Sequence, residues 1–145
     1  MYKILLIILF SLILPQYDWD DNGLPLRQGI HIEWQRTGDY GDNGTMIFAW
    51  SDTRYGGRDV YAQKVDQNGN SLWGSEGVPI VIGPGRQEDP ILVTDGNGGA
   101  FVIWVDYRDE PDNGDIYAQH INSDGVISWD IEGVVLTNVV GKQAS

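Results

Sequence analysis

One phrase is written twice in this chain, and the duplication restricts its possible folds more than any other feature. Asn43, Gly44, Trp50, Asp52, Arg54, Asp59, Tyr61, Ala62, Gln63, Gly69, Trp73, Glu76, Gly77 and Val78 recur as Asn97, Gly98, Trp104, Asp106, Arg108, Asp115, Tyr117, Ala118, Gln119, Gly125, Trp129, Glu132, Gly133 and Val134. The offset is 54 residues up to the arginine and 56 beyond it, which places a two-residue insertion in the loop around Glu110 to Asn113. A fixed period of this size is that of one supersecondary unit, which buries its apolar faces by stacking on its neighbours. Partial copies flank the two full ones: Trp19 to Pro25 parallels Trp73 to Pro79, and Gly141 to Ser145 parallels Gly85 to Asp89. The chain therefore divides into a leader (1–16), a repeat remnant (17–28), repeats over 29–83 and 84–139, and the start of another at 140–145.

Within a repeat, short apolar runs alternate with turn residues. The second repeat predicts strands at Ile91 to Thr94, Ala100 to Tyr107, Ile116 to Ile121 and Val126 to Trp129, with Val134 to Thr137 either continuing the last or adding an edge. Turns such as Asp95-Gly96-Asn97-Gly98-Gly99 accept positive φ and favour hairpins. Ala100 to Val105 is apolar at consecutive positions, the mark of a strand buried on both faces. A four-stranded sheet covered on both sides by copies of itself is a propeller blade. The expected fold is thus all-β, a partial β-propeller of four-stranded antiparallel blades with about two complete repeats, preceded by a signal-peptide helix. A propeller closes with about four to eight blades, so open blade faces bearing Phe48, Phe101 and Ile103 are expected to be covered by further repeats or by self-association.

Lys3 followed by the apolar run Ile4 to Leu14, broken only by Ser11, reads as a secretory leader. It is shorter than the roughly 20 residues of a spanning helix, so contact with a membrane is expected only through an uncleaved leader. The chain has no cysteine, and its net charge is −12. Disulfides and thiolate chemistry are excluded, and a surface this acidic repels phosphate backbones, which argues against nucleic acid as a partner.

Trp50-Ser51-Asp52-Thr53-Arg54 with Asp59-Val60-Tyr61-Ala62-Gln63, and Trp104-Val105-Asp106-Tyr107-Arg108 with Asp115-Ile116-Tyr117-Ala118-Gln119, resemble the tandem repeats of large proteins secreted by bacteria. That resemblance covers nearly all of the chain after the leader and implies a propeller-like fold and a place outside the cell or at its surface. A looser one is to the Asp-box hairpin of sialidase-like propellers, carried by Asp66-Gln67-Asn68-Gly69 before Trp73 and by Asp124-Gly125 before Trp129, without the full spacing. The arginine triad and nucleophilic tyrosine of that family have no counterpart in the sequence.

Residues that recur in every unit point to scaffold, because a catalytic site occurs once per ring. Asp52 and Arg54, like Asp106 and Arg108, lie two apart and share a strand face. A second acid, Asp59 or Asp115, returns across the hairpin, where a guanidinium fork can bridge both carboxylates. Tyr61 and Tyr117 are expected to pack between blades; Trp50, Trp73, Trp104 and Trp129 are expected to plug core or turns, with sugar stacking as the alternative. Gln63 and Gln119 belong to the same structural motif. Function is expected where the repeat breaks. His31, Glu33, Trp34 and Arg36 have no counterparts, and a Glu beside a His can do acid–base work. Asp109, Glu110, Asp112 and Asp115 crowd the insertion with oxygen ligands that can hold calcium, and Asp18, Asp20 and Asn22 open a partial calcium loop. No other cofactor is implied. His120 stands where the first repeat has Lys64 and reads as an exposed variable position. Asn43-Gly44-Thr45 is a glycosylation sequon in a turn. The sequence supports a secreted, non-catalytic binding or structural module for an extracellular protein or glycan; the alternative is a piece of a sialidase-like or other carbohydrate-active propeller hydrolase.

Overall fold

Runs of β-branched and aromatic residues bounded by glycine turns leave the backbone little choice but paired strands. The computed structural model describes residues 33–137, and over them the chain is almost entirely β. The leader and both partial repeats lie outside the described residues, as does His31.

The first sheet holds β1 (Glu33–Tyr40), β2 (Met46–Asp52), β3 (Asp59–Val65) and β4 (Val78–Val81); the second holds β5 (Gln87–Thr94), β6 (Ala100–Asp106), β7 (Asp115–Ile121) and β8 (Val134–Thr137). Each is a four-stranded antiparallel meander in sequence order. Registers coincide between the sheets: Trp50 faces Tyr61 and Asp52 faces Asp59, as Trp104 faces Tyr117 and Asp106 faces Asp115. The insertion lengthens the β6–β7 loop (107–114) relative to the β2–β3 loop (53–58) and leaves that register intact.

The outer strand differs from the sequence expectation. Val126 to Trp129 is not a strand; it touches β7 through one isolated bridge, Ile121 to Ile127, and the fourth strand is Val134–Thr137. The cause is the Gln119 side chain, whose Oε1 accepts the Trp129 N–H at 3.0 Å while its Nε2 donates to the Asp130 carbonyl at 2.6 Å. A side chain thus takes the place of a strand partner, and the chain loops out before returning as β8. Gln63 does the same in the first sheet, accepting the Trp73 N–H at 3.0 Å and donating to the Gly74 carbonyl.

The two sheets pack face to face. Ile47, Ala49, Val60, Ala62, Trp73, Ile80 and Val81 of the first meet Leu92, Ala100, Val102, Trp104 and Ile121 of the second in one buried cluster. Polar bonds fix the junction: Thr94 N–H and Oγ1 donate to Asp39 Oδ2 at 3.0 and 3.1 Å, Lys64 Nζ donates to the Gly98 carbonyl at 2.7 Å, and Trp73 Nε1 donates to the Ser123 carbonyl at 3.1 Å.

Gly77 and Gly133 end the loops that return to β4 and β8 with φ of 71° and 80°. A Cβ at Gly133 would stand 2.5 Å from the Trp104 ring and 3.0 Å from the Ala118 carbonyl; one at Gly77 would stand 2.7 Å from both the Trp50 ring and the Ala62 carbonyl. Glycine is required twice over, by its φ and by the indole beneath it. Gly133→Ala should therefore cost more stability in denaturant unfolding than Gly96→Ala, since Gly96 shares the positive φ but has open space around it. The Gly96 change should cost about 1–2 kcal/mol, the left-handed penalty alone. Equal losses would show that the contact with Trp104 carries no weight.

Candidate functional site

The strongest motif builds one polar knot per sheet. In the second, the Trp104 indole N–H donates to Asp106 Oδ2 at 2.9 Å, the Arg108 backbone N–H donates to Asp106 Oδ1 at 3.0 Å, and the Arg108 guanidinium pairs with the same carboxylate. Arg108 then reaches the Glu132 carbonyl at 2.9 Å, lies 4.2 Å above the Tyr117 ring centre, and Tyr117 stacks on Trp104. The first sheet repeats this with Trp50 to Asp52 at 3.0 Å, Arg54 N–H to Asp52 at 3.0 Å, the Arg54–Asp52 ion pair, Arg54 to the Glu76 carbonyl at 2.9 Å and Arg54 over Tyr61 at 3.6 Å.

Trp50, Asp52, Asp59, Tyr61, Trp104 and Asp106 are all buried, and Tyr61 and Tyr117 belong to the stack of their own sheet, with Trp on one side and Arg on the other. The second acid is engaged differently from the bridging geometry that the spacing suggests. Asp59 accepts the Gly83 N–H at 3.2 Å, and the second arm of Arg54 goes to a main-chain carbonyl.

Asp52 and Asp59 face each other on adjacent strands, and their acidities diverge. Burial raises the Asp52 carboxyl, but the hydrogen bonds from Arg54 and Trp50 outweigh it and hold Asp52 below the ordinary aspartate range. Burial dominates at Asp59 and pushes it up, helped by the charge on Asp52. Carboxylates split in this way can serve as acid and base. Here neither meets solvent, at 0 and 2 % exposure, and no substrate atom could approach them. Burial also pushes the Tyr61 phenol far up, which removes it as a nucleophile.

The repeat breaks at a second constellation, which sequence reasoning missed. His120 is not a free surface residue: Nε2 lies 2.8 Å from Asp95 Oδ2 and Nδ1 2.9 Å from Ser128 Oγ, and its ring packs against Phe101 and Trp129. Asp95 also accepts the N–H groups of Asn97 and Gly99 at 2.7 and 2.9 Å. Burial raises the Asp95 carboxyl, yet these bonds, led by the one from His120, keep it below its ordinary value. The first repeat has Gly41, Lys64 and Leu72 at these positions, so the signal was three concerted differences between the copies. Acid, imidazole and hydroxyl in a row have the connectivity of a serine hydrolase. The two nearest main-chain donors are not free to form an oxyanion hole, since the Ser128 N–H donates to the His120 carbonyl at 2.7 Å and the Trp129 N–H to Gln119.

An open groove lies where the sheets meet, lined by Thr53, Gly56, Arg58, Arg86 and Glu88. Both arginines pair with Glu88, and Arg86 also lies 4.0 Å over the Tyr107 ring. The acidic insertion places Asn113 Nδ2 2.6 Å from Glu110 and Asp115 at the start of β7 opposite Asp106. No group of three or more His, Asp or Glu side chains converges on a common metal position among the described residues. Glu33, Trp34 and Arg36 fall on β1, where Arg36 is exposed. The Asp-box-like turns are capped by Asp66, which accepts the Asn68 and Asn70 N–H groups at 2.8 Å, and in the second copy by Asn122 rather than Asp124, accepting the Asp124 and Val126 N–H groups at 3.0 Å. No helix among the described residues is long and apolar enough to cross a membrane. No protein-family model, curated protein or solved structure matches the chain.

Trp104→Ala should lose about 3–5 kcal/mol as a core cavity, and Arg108→Ala should lose about 3 kcal/mol or more by leaving Asp106 buried without its cation; urea unfolding of the two variants checks both. Stability should also fall with acid. Asp39, Asp52, Asp66 and Asp95 all sit below their ordinary value when folded. Their contribution is therefore complete above the unfolded aspartate pKa of about 3.9 and is lost as the pH drops through their lower folded values. Asp59, raised when folded, works the other way, since its protonation relieves a burial cost. Four groups oppose one, so the melting temperature should be level above about pH 5 and decline below about pH 4; a melting temperature that rises on acidification would contradict the assignment.

Proposed function

We propose that this chain is a secreted, non-catalytic module of the β-propeller type, its two sheets being neighbouring blades, which serves an extracellular protein or glycan as a binding or structural element. One observation carries the reading: the Trp–Asp–Arg–Tyr knot recurs in both sheets, and in each the buried carboxylate is taken up by the indole, the main-chain N–H and the guanidinium of its own sheet. A group that acts on a substrate keeps a reactive atom open to it, and a motif written once per blade serves the blade. Secretion rests on the Lys3 and Ile4–Leu14 leader pattern. The acidic surface, at a net charge of −12, directs the choice of partner away from nucleic acid.

The folded chain, offered a panel of aryl glycosides and aryl esters, should release no more aryl alcohol than buffer. Turnover that Asp106→Asn or Ser128→Ala abolished while the far-ultraviolet spectrum stayed unchanged would replace this reading with that of a hydrolase.

A further inference from the structure

The two sheets are equivalent in sequence but not in what covers them. In the first sheet, Asp39, Ile47 and Lys64 form one cross-strand row and Thr37, Ala49 and Ala62 the next. Asp39 and Lys64 both bond to the second sheet, so this is the face it covers, and Ile47 and Ala49 are 0 % exposed there. The matching rows of the second sheet are Val93–Phe101–His120 and Ile91–Ile103–Ala118. Here Ile91 is 64 %, Val93 51 % and Phe101 37 % exposed, and Trp129 is 40 % exposed where its counterpart Trp73 is 4 %. The second sheet thus carries the junction face of the first, with larger apolar side chains and none of the described residues over it. Solvated monomers seldom leave so continuous an apolar face uncovered.

The opposite surface of the first sheet supplies the complement. The elements of the second sheet that grip the first are Thr94, the Gly98 turn and the Ser123–Gly125 turn. Their counterparts in the first sheet are Tyr40, the Gly44 turn and the Gln67–Gly69 turn; Gly44 has the φ of Gly98 within about ten degrees, at 74° against 85°. Tyr40 is 77 % exposed, and Gly44 and Gln67 are exposed as well.

We infer that the open face of the second sheet docks the outer face of the first sheet of a second copy of this chain, head to tail, by repeating the junction within the chain. The inference rests on reading the sheets as blades. It puts Val93 of one copy beside Tyr40 of the next, as Asp39 stands beside Thr94 within one chain, and it seats Trp129 under the Gln67–Gly69 turn, as Trp73 sits under the Ser123–Gly125 turn. The association is heterologous, so a face never meets its own kind.

The absence of native cysteine makes the test clean. Full-length Val93→Cys and Tyr40→Cys chains, both altered at exposed positions, are oxidised separately and as a mixture and resolved without reductant. The mixture should give a disulfide-linked dimer, and neither variant alone should do so. No dimer in the mixture, whether because the face stays free or because a different protein covers it, overturns the inference, as does Val93→Cys pairing equally well with itself. An Asp39→Cys/Thr94→Cys chain closes its own disulfide if the junction within the chain is correct. That control separates failure of the docking from failure of the blade reading.

Discussion

A buried carboxylate governs each sheet. Asp52 and Asp106 are almost wholly removed from water, and a charge so placed is tolerated only when it is paired and fully hydrogen-bonded. The indole two residues before, the main-chain N–H two residues after and a guanidinium meet that demand. Satisfying it recruits other elements in turn. The arginine must reach the loop before β4 or β8 and lie flat on a tyrosine from β3 or β7, and that tyrosine must stack on the tryptophan. Three segments distant in sequence are thereby held by one anion, and Gly77 and Gly133 are fixed by the indole that the anion orients.

The glutamine of each repeat acts as the second organiser. Gln63 and Gln119 are fully buried, and each side chain accepts two main-chain N–H groups, its neighbour's and that of Trp73 or Trp129. Each glutamine thus lets the chain leave the ladder after β3 or β7 without stranding polar atoms in the interior. It also positions the tryptophan that seals a junction, buried at Trp73 and open at Trp129. Local hydrogen bonding within one sheet therefore prepares the surface by which sheets meet.

The sequence reveals the knot because its members recur at matching intervals, and spacing of two along a strand puts Asp and Arg on one face. The all-β class and the β2, β3, β6 and β7 strands follow from the same runs. Two features were not legible. Val126 to Trp129 has the composition of a strand, and only the buried Gln119 amide, which replaces a backbone partner, keeps it from being one. The Asp95–His120–Ser128 chain spans three separate segments, so no local pattern announces it; comparison of the copies, with Gly41, Lys64 and Leu72 at the matching places, carries the only trace. Asp59 accepts the Gly83 N–H, while the second arm of Arg54 reaches the Glu76 carbonyl, main-chain contacts that spacing along a strand does not announce.

Hydrogen exchange at the tryptophan indoles, followed by nuclear magnetic resonance, tests the central claim most directly. The indole protons of Trp50 and Trp104 are held by buried carboxylates, and they should exchange only when the whole sheet opens, at the rate of the slowest backbone amides of β2 and β6. In the unassociated chain the Trp129 indole, partly exposed, should exchange far faster. Trp104 exchanging as quickly as Trp129 in the folded protein would contradict the account, for the knot would then be a surface feature and not the anchor of the sheet.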